Sequence, residues 1–347
     1  MTDITILHLI PNYSQTNLKK GVSQYAKSLS EMGHDVTLVI YETKKNEDEN
    51  LDIPNVEIDR ISIRDESKLI RTTSYILSCD TDVIISQNVL EKRYLIWVAL
   101  AWAQGIDFLM KIDYTPGIPP LTPSIRIKHR VKLQILSEFC RGLFVPTQNA
   151  ADELVSIYPK LDHRVQSLPS GYNDEYFVER KESNKSILYA GRLVSDKGVR
   201  DLICGFNKIK DEYSNWTLEI AGDGKIYDDM NKENVQFHGH VETQELIDLY
   251  AKAEIFCLPS LHESFGNVLV EAAGAETAII STEVGVAPEL LDGAGLFINK
   301  RDSDDIAEKL RTYIDNDDKR RADAKKLKQN AKNYKIERVT KIISEYL

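Results

Sequence analysis

Short apolar runs recur along this chain, each stopped by glycine, proline or a polar cluster and then followed by apolar residues at helical spacing. The first, ITILHLI at 4–10, is a buried strand ending at Pro11-Asn12. Next, GVSQYAKSLSEMGHDVTLVI predicts a helix from Val22 to Met32, closed by Gly33 as a C-terminal cap, then a strand at 36–41. Strand, helix and strand make one βαβ unit. Further strands are predicted at 56–63, 83–86, 108–113, 143–146 and 165–168, with helical patterns between most of them. The most apolar segment, 94–103, is about half a membrane span and is followed by Gln104, Gly105 and Asp107, so it reads as a buried helix.

Leu168-Pro169-Ser170-Gly171-Tyr172-Asn173 reads as a linker, and a second series begins after it. SILYAG (186–191), WTLEIAG (216–222), VQFHG (235–239), IFCLPS (255–260), AIIST (278–282) and LFI (296–298) are its strands. Strands alternating with helices imply an α/β protein with mostly parallel sheets and helices on both faces. The charged stretch 316–332 reads as a solvated helix and loop. In the last segment Ile336, Val339, Ile342, Ile343 and Tyr346 fall at helical spacing, a face that must be covered.

Composition narrows the classes. The 347 residues are enough for two domains, and 42% hydrophobic with 28% charged residues describes a soluble globular chain. A net charge of −10 argues against nucleic-acid binding. Cys79, Cys140, Cys204 and Cys257 have no paired spacing, so neither a disulfide framework nor a zinc site is expected and the compartment reads as reducing. Asp3 interrupts the amino end and 4–10 is too short an apolar run for a signal peptide. The expected location is cytoplasmic, with peripheral contact at the inner face of the membrane as an option raised below.

Candidate chemistry centres on HESFGNVLVEAAGA, which begins at His262 and holds Glu263 and Glu271 around Phe265-Gly266-Asn267. Glu263 falls in a strand-to-helix loop, where an open α/β sheet places ligands. Gly266 lets backbone approach a ligand, and the amides of the following helix start favour phosphate. Glu271, in or near the first turn, would repel phosphate but accept hydrogen bonds from sugar or ribose hydroxyls. The combination spells a sugar nucleotide. By itself the stretch is equally consistent with a solvated Glu263 and a Glu271 favoured only by the helix dipole. In YAGRLVSDKGVRDLICGF, Arg192 and Lys197 follow a strand ending at Gly191, and Gly198 opens a helix. Two cations there are suited to clamp a diphosphate, though cations in such loops are often plain surface charges. Asp80 and Asp82 precede a strand and read as a turn, so no metal site is expected.

GRLVSDKG, AGDG, FHGHV followed by ELIDLYAKAEIFCLPS, the E-x7-E loop and GVAPELL closely resemble the carboxyl half of retaining GT-B glycosyltransferases, most of all family 4. KGVSQYAKSLSEMGHDVTLV and LPSGYNDEYF resemble the family's first helix with second strand and its interdomain linker. The resemblance implies two Rossmann-like doubly wound domains facing across a cleft. An acceptor domain at 1–168 is joined by a final helix, 333–347, that packs back on it, and a donor domain spans 173–332. It implies transfer from a nucleoside-diphosphate sugar, UDP- or GDP-linked, to an acceptor hydroxyl in polysaccharide or glycoconjugate synthesis. Arg192, Lys197 and Glu263 match the catalytic positions. Gly21, Gly191, Val241, Phe265, Gly266, Asn267, Val268, Leu269 and Glu271 match donor-binding ones. No metal and no cofactor are implied beyond the donor substrate. Where the family often has a histidine, FLMKIDYTPG offers Lys111, Asp113 and Tyr114 to the acceptor, and the usual paired glycines are Lys20-Gly21.

The stretch SIRIKHRVKLQILSEF clusters Arg126, Lys128, His129, Arg130 and Lys132 around Ile127, Val131 and Ile135. This is either an ordinary core helix with a basic face or one that lies on an anionic membrane and suits a lipid-linked acceptor. Alternative functions are a GT-B nucleotide-sugar epimerase and a non-catalytic nucleotide-sugar or glycan binder. No G-x-G-x-x-G follows the first strand, which disfavours a dehydrogenase.

Overall fold

The computed structural model describes residues 1–8, 21–42, 52–62, 68–87, 94–112, 138–182, 184–224 and 233–347. They form two units, each built on its own parallel sheet: Met1–Tyr172 with Ile336–Leu347, and Asn173–Lys335. Asp113, Tyr114 and the basic cluster Arg126, Lys128, His129, Arg130 and Lys132 lie outside the described residues, as does Lys20.

In the first unit the chain runs β1 (Asp3–His8), α1 (Val22–Glu31), β2 (Asp35–Glu42), β3 (Glu57–Ser62), α2 (Lys68–Ser78), β4 (Val83–Gln87), α3 (Tyr94–Ala103), β5 (Asp107–Lys111), β6 (Gly142–Val145), α4 (Gln148–Ile157) and β7 (Val165–Ser167). The sheet order is β3-β2-β1-β4-β5-β6-β7, with every pairing parallel. Because strand side chains alternate between faces, the apolar runs feed two layers. Ile4 and Ile6 join α1 residues Val22, Tyr25, Ala26 and Leu29 on one face, while Leu7 joins Trp97, Val98 and Ala101 of α3 on the other. The first of those layers is completed by α11 (Ile336–Ser344), which contributes Ile336, Val339 and Ile343, and the Tyr346 ring meets Phe144 edge-on at 5.1 Å. Gly33 ends α1 at φ +94°, with the His34 amide returning to the Leu29 carbonyl at 3.3 Å, as a glycine-capped helix end requires. The sequence reading of α3 as a buried helix holds for one face only. Trp102 is 60% exposed and Ile96 46%, because a helix lying on a sheet covers one side.

The second unit runs β8 (Ser186–Ala190), α5 (Val199–Asn207), β9 (Thr217–Ala221), β10 (Val235–Gly239), α6 (Thr243–Lys252), β11 (Ile255–Leu258), α7 (Asn267–Gly274), β12 (Ala278–Ser281), α8 (Ala287–Leu290), β13 (Leu296–Phe297), α9 (Ser303–Asp315) and α10 (Asp317–Ala331). Its order is β10-β9-β8-β11-β12-β13, again parallel. Strand order reverses between β8 and β11, the position outside the carboxyl ends at which open α/β sheets bind ligands.

The segment 316–332 is corrected by the structure. It is the helix α10, capped by Asn316, and it buries Arg320, Asp323, Ala324, Leu327 and Ala331. Its inward charges are compensated. Arg320 Nε donates to Glu254 Oε2 at 2.9 Å, Arg180 reaches the same oxygen at 2.8 Å, and the Arg320 guanidinium lies 5.5 Å over the Trp216 ring. Asp323 accepts from the Tyr313 hydroxyl at 2.7 Å and from Lys319 at 2.9 Å. A charge enters a protein interior at tolerable cost when it is paired and hydrogen-bonded in this way.

Candidate functional site

The loops that follow β8 and β11 sit at the reversal of strand order. After β8 the chain is pinned to its neighbours by backbone bonds: the Gly191 amide donates to the Ala221 carbonyl at 2.9 Å, and that of Leu193 to Asp223 at 2.8 Å. The buried Tyr189 hydroxyl donates to the Arg192 carbonyl at 3.0 Å, so the backbone carrying Arg192 is held from below while its side chain is exposed. Burial pushes the Tyr189 phenol up, and the negative charges of Glu263 and Asp196 push it further, so it serves this loop as a neutral donor.

Lys197 ends a single helical turn, Ser195–Lys197, and the next residue, Gly198, is left-handed at φ +66° and caps α5. A Cβ on Gly198 would lie 2.1 Å from the Pro259 carbonyl oxygen. Only glycine allows this approach, which joins the β8 loop to the β11 loop. A backbone bond from Leu261 to the Asp196 carbonyl, 2.8 Å, closes the same seam. The outcome is a direct ion pair: Lys197 Nζ lies 2.7 Å from Glu263 Oε1, with both side chains largely shielded from solvent. Ser260 Oγ donates to the same Glu263 oxygen at 2.8 Å, and the Ser260 carbonyl accepts from Thr282 Oγ1 at 2.6 Å.

Beyond Glu263 the chain turns into α7 through Gly266, at φ +88°, and no side chain caps the helix start. Helix-start amides carry partial positive charge and suit an anion. Of the donor-binding matches Val268 and Leu269, the Leu269 amide is bonded to the Gly266 carbonyl at 2.9 Å, so the Val268 amide is the better placed of the two for an anion. The Phe265 carbonyl accepts from the Val286 amide at 2.7 Å and its ring meets Tyr334 edge-on at 5.9 Å, fixing the turn, while Asn267 is exposed. Glu271 is the fifth residue of α7 and only 3% exposed; its Oε2 accepts from the buried Tyr250 hydroxyl at 3.2 Å. Val241 lies half-buried between β10 and α6.

Arg192, Lys197, Glu263, the turn 265–269 and Glu271 thus all belong to the carboxyl-end loops and α7 of one sheet. Gly21 and Lys111 belong to the first unit. Gly21 caps α1 and its carbonyl accepts from the Gln24 and Tyr25 amides at 3.1 and 3.3 Å. Lys111 ends β5, and its ammonium donates to the Tyr25 hydroxyl at 3.1 Å and lies 4.9 Å from that ring's centre. Tyr25 in turn donates to the Pro169 carbonyl at 2.6 Å. Three supporting residues, Tyr189, Tyr250 and Ser260, were not found from sequence. Ser260 lies only three positions before Glu263, which was the available signal; Tyr189 and Tyr250 look like ordinary core aromatics.

Two doubly wound parallel sheets in series, the second carrying its polar site at the strand-order reversal, define the GT-B fold. Residues 173–334, all within the second unit, match the family described as glycosyl transferases group 1. Sucrose-phosphate synthase from Thermosynechococcus elongatus superposes with a TM-score of 0.76 at 16% identity, covering 99% of this chain and 98% of that one. HepE from Anabaena, solved in complex with UDP-glucose, superposes at 0.73 with 15% identity over 99% of both chains. Glycogen synthase from Mycobacterium tuberculosis is 34% identical over 139 residues, 37% of this chain and 34% of that protein. The chain spans between 34% and 52% of the length of the first curated relatives it matches.

Proposed function

We propose that this protein is a retaining glycosyltransferase that moves a sugar from a nucleoside diphosphate to an acceptor hydroxyl without a metal. The observation that carries the reading is the Lys197–Glu263 pair, 2.7 Å apart in the two loops at the strand-order reversal, with Glu263 leading into the uncapped start of α7. A cation and helix-start amides stabilise a departing diphosphate, while carboxylates accept from sugar hydroxyls; the site supplies both on the loops at one end of a single sheet. Arg192 and Lys197 take the diphosphate, with the Val268 amide. Glu271 takes the ribose, and Glu263 with the amides of the 265–267 turn takes the sugar. That HepE is solved with UDP-glucose supports a uridine donor. For the acceptor, we assign Lys111 as a contact.

Retention follows if the acceptor hydroxyl attacks from the face the diphosphate leaves, with a phosphate oxygen taking its proton. The alternative is a covalent sugar on Glu263, as in retaining hydrolases. Lys197 and Ser260 both bond Glu263 Oε1, which draws electron density from that oxygen and favours the same-face route. A lipid-linked acceptor met at the membrane surface is one reading of the basic segment, which lies outside the described residues. Among the described residues, no helix is long and apolar enough to cross a membrane.

The test is a thermal-shift panel of nucleotide sugars, since a ligand bound only by the folded state raises its unfolding temperature. A hit is then assayed for nucleotide release dependent on added acceptor. A panel with no stabilising nucleotide sugar overturns the proposal, and stabilisation without acceptor-dependent release leaves a binder. Glu271→Ala is expected to raise the donor KM by roughly 10- to 100-fold with kcat little changed, the scale of one hydrogen bond to a charged group.

A further inference from the structure

The geometry points to Tyr250 as a positioning residue for Glu271, and to the pair as the device by which the site selects a ribonucleotide over a deoxyribonucleotide. This rests on the assignment of Glu271 to the ribose. Tyr250 lies in α6, a different element from its partner, and is 1% exposed. Its hydroxyl donates to Glu271 Oε2 at 3.2 Å inside the protein. The tyrosine is itself anchored at both ends. Its carbonyl accepts from Thr277 Oγ1 at 2.7 Å in a buried bond, and its ring stands edge-on to Phe256 at 5.5 Å. Both anchors are fixed in the core, since Thr277 and Phe256 are fully buried.

A glutamate side chain has three rotatable bonds and a broad terminal torsion, so a carboxylate meant to meet two vicinal hydroxyls needs its plane set beforehand. A phenol supplies one proton and no charge, and a carboxylate has about four acceptor directions, so Tyr250 orients the group without exhausting it. Tyr176 senses the same carboxylate: burial pushes its phenol up and the charge of Glu271 pushes it further. A correctly placed carboxylate rewards a 2′,3′-diol. When the diol is absent the buried carboxylate loses the two hydroxyl donors that its held orientation is suited to meet, and a site built to bond a ligand hydroxyl discriminates against the analogue lacking it.

The experiment compares calorimetric Kd values of UDP and 2′,3′-dideoxy-UDP for the wild-type chain and for Tyr250→Phe, which removes one oxygen and keeps the ring. If UDP does not bind, GDP and ADP with their dideoxy forms replace it. The wild type is expected to prefer the ribonucleotide by roughly tenfold or more, and Y250F to lose about fivefold of that preference, the scale of a single hydrogen bond. A residue with only a structural role would weaken both nucleotides by the same factor. If Y250F does not fold, Thr277→Val loosens the tyrosine's anchor and is expected to narrow the preference in the same direction by less. A wild type that binds no nucleotide, or binds ribo and dideoxy forms alike, overturns the ribose assignment and this inference with it. A wild type that discriminates and a variant that discriminates equally well overturns the inference alone.

Discussion

Lys197→Ala is expected to lower kcat by roughly 10²- to 10³-fold, the usual cost of removing one preorganised donor from a developing negative charge. The ammonium is fixed 2.7 Å from Glu263 in a shielded setting, so in the proposed role of binding the departing diphosphate it would be in place beforehand. Removing it has a second consequence: Glu263 keeps only the Ser260 hydroxyl among its bonds described above, and a shielded carboxylate without its cation is costly. Arg192→Ala should lower kcat on the same scale with less effect on folding, because its side chain is exposed. Single-turnover rates at saturating donor check both, with thermal unfolding as the control. Unchanged turnover in both variants would remove the cations from leaving-group stabilisation.

Gly198→Ala is expected to destabilise the second unit by roughly 2–5 kcal/mol, combining the left-handed penalty with that of overpacking. The new methyl would meet the Pro259 carbonyl at 2.1 Å, and a backbone carbonyl yields far less readily than a side-chain tip. The two loops must part, which separates Lys197 from Glu263. Nucleotide stabilisation should therefore vanish even where the variant stays folded at low temperature. Denaturant unfolding reads the first effect and thermal shift with a nucleotide the second. A variant as stable as wild type and still stabilised by nucleotide would show that the seam between these loops is not needed.

Much of this architecture was legible because buried parallel strands must be apolar throughout: 255–258, 278–281 and 186–190 admit only a few interpretations. The placement of the two glutamates and the two cations after strands of one sheet was legible for a related reason, since the apolar runs 186–190 and 255–258 end in glycine or proline just before them. What the sequence could not show was that Lys197 and Glu263 touch, since they were read as two separate signals from different loops. Arg320 and Asp323 were misread as solvated. Their neighbours Lys319, Arg321, Lys325 and Lys326 make the segment look polar all round, and the partner Glu254 is 66 residues distant in the chain. Tyr250 shares the difficulty: an aromatic at a core position advertises its ring and conceals what its hydroxyl holds.

The way α11 completes the first sheet's layer has a consequence for biogenesis. Ile336, Val339 and Ile343 are translated after the whole of the second unit, yet they cover apolar surface on strands made at the outset. Ribosomal synthesis usually lets amino-terminal domains mature first. Here that order is expected to invert: residues 173–335 form a contiguous unit, while the earlier unit lacks part of its core layer until Ile336, Val339 and Ile343 are made. Protease mapping of stalled nascent chains lacking 336–347 should find 173–335 protected before 1–172, and the waiting interval is where a chaperone would be engaged.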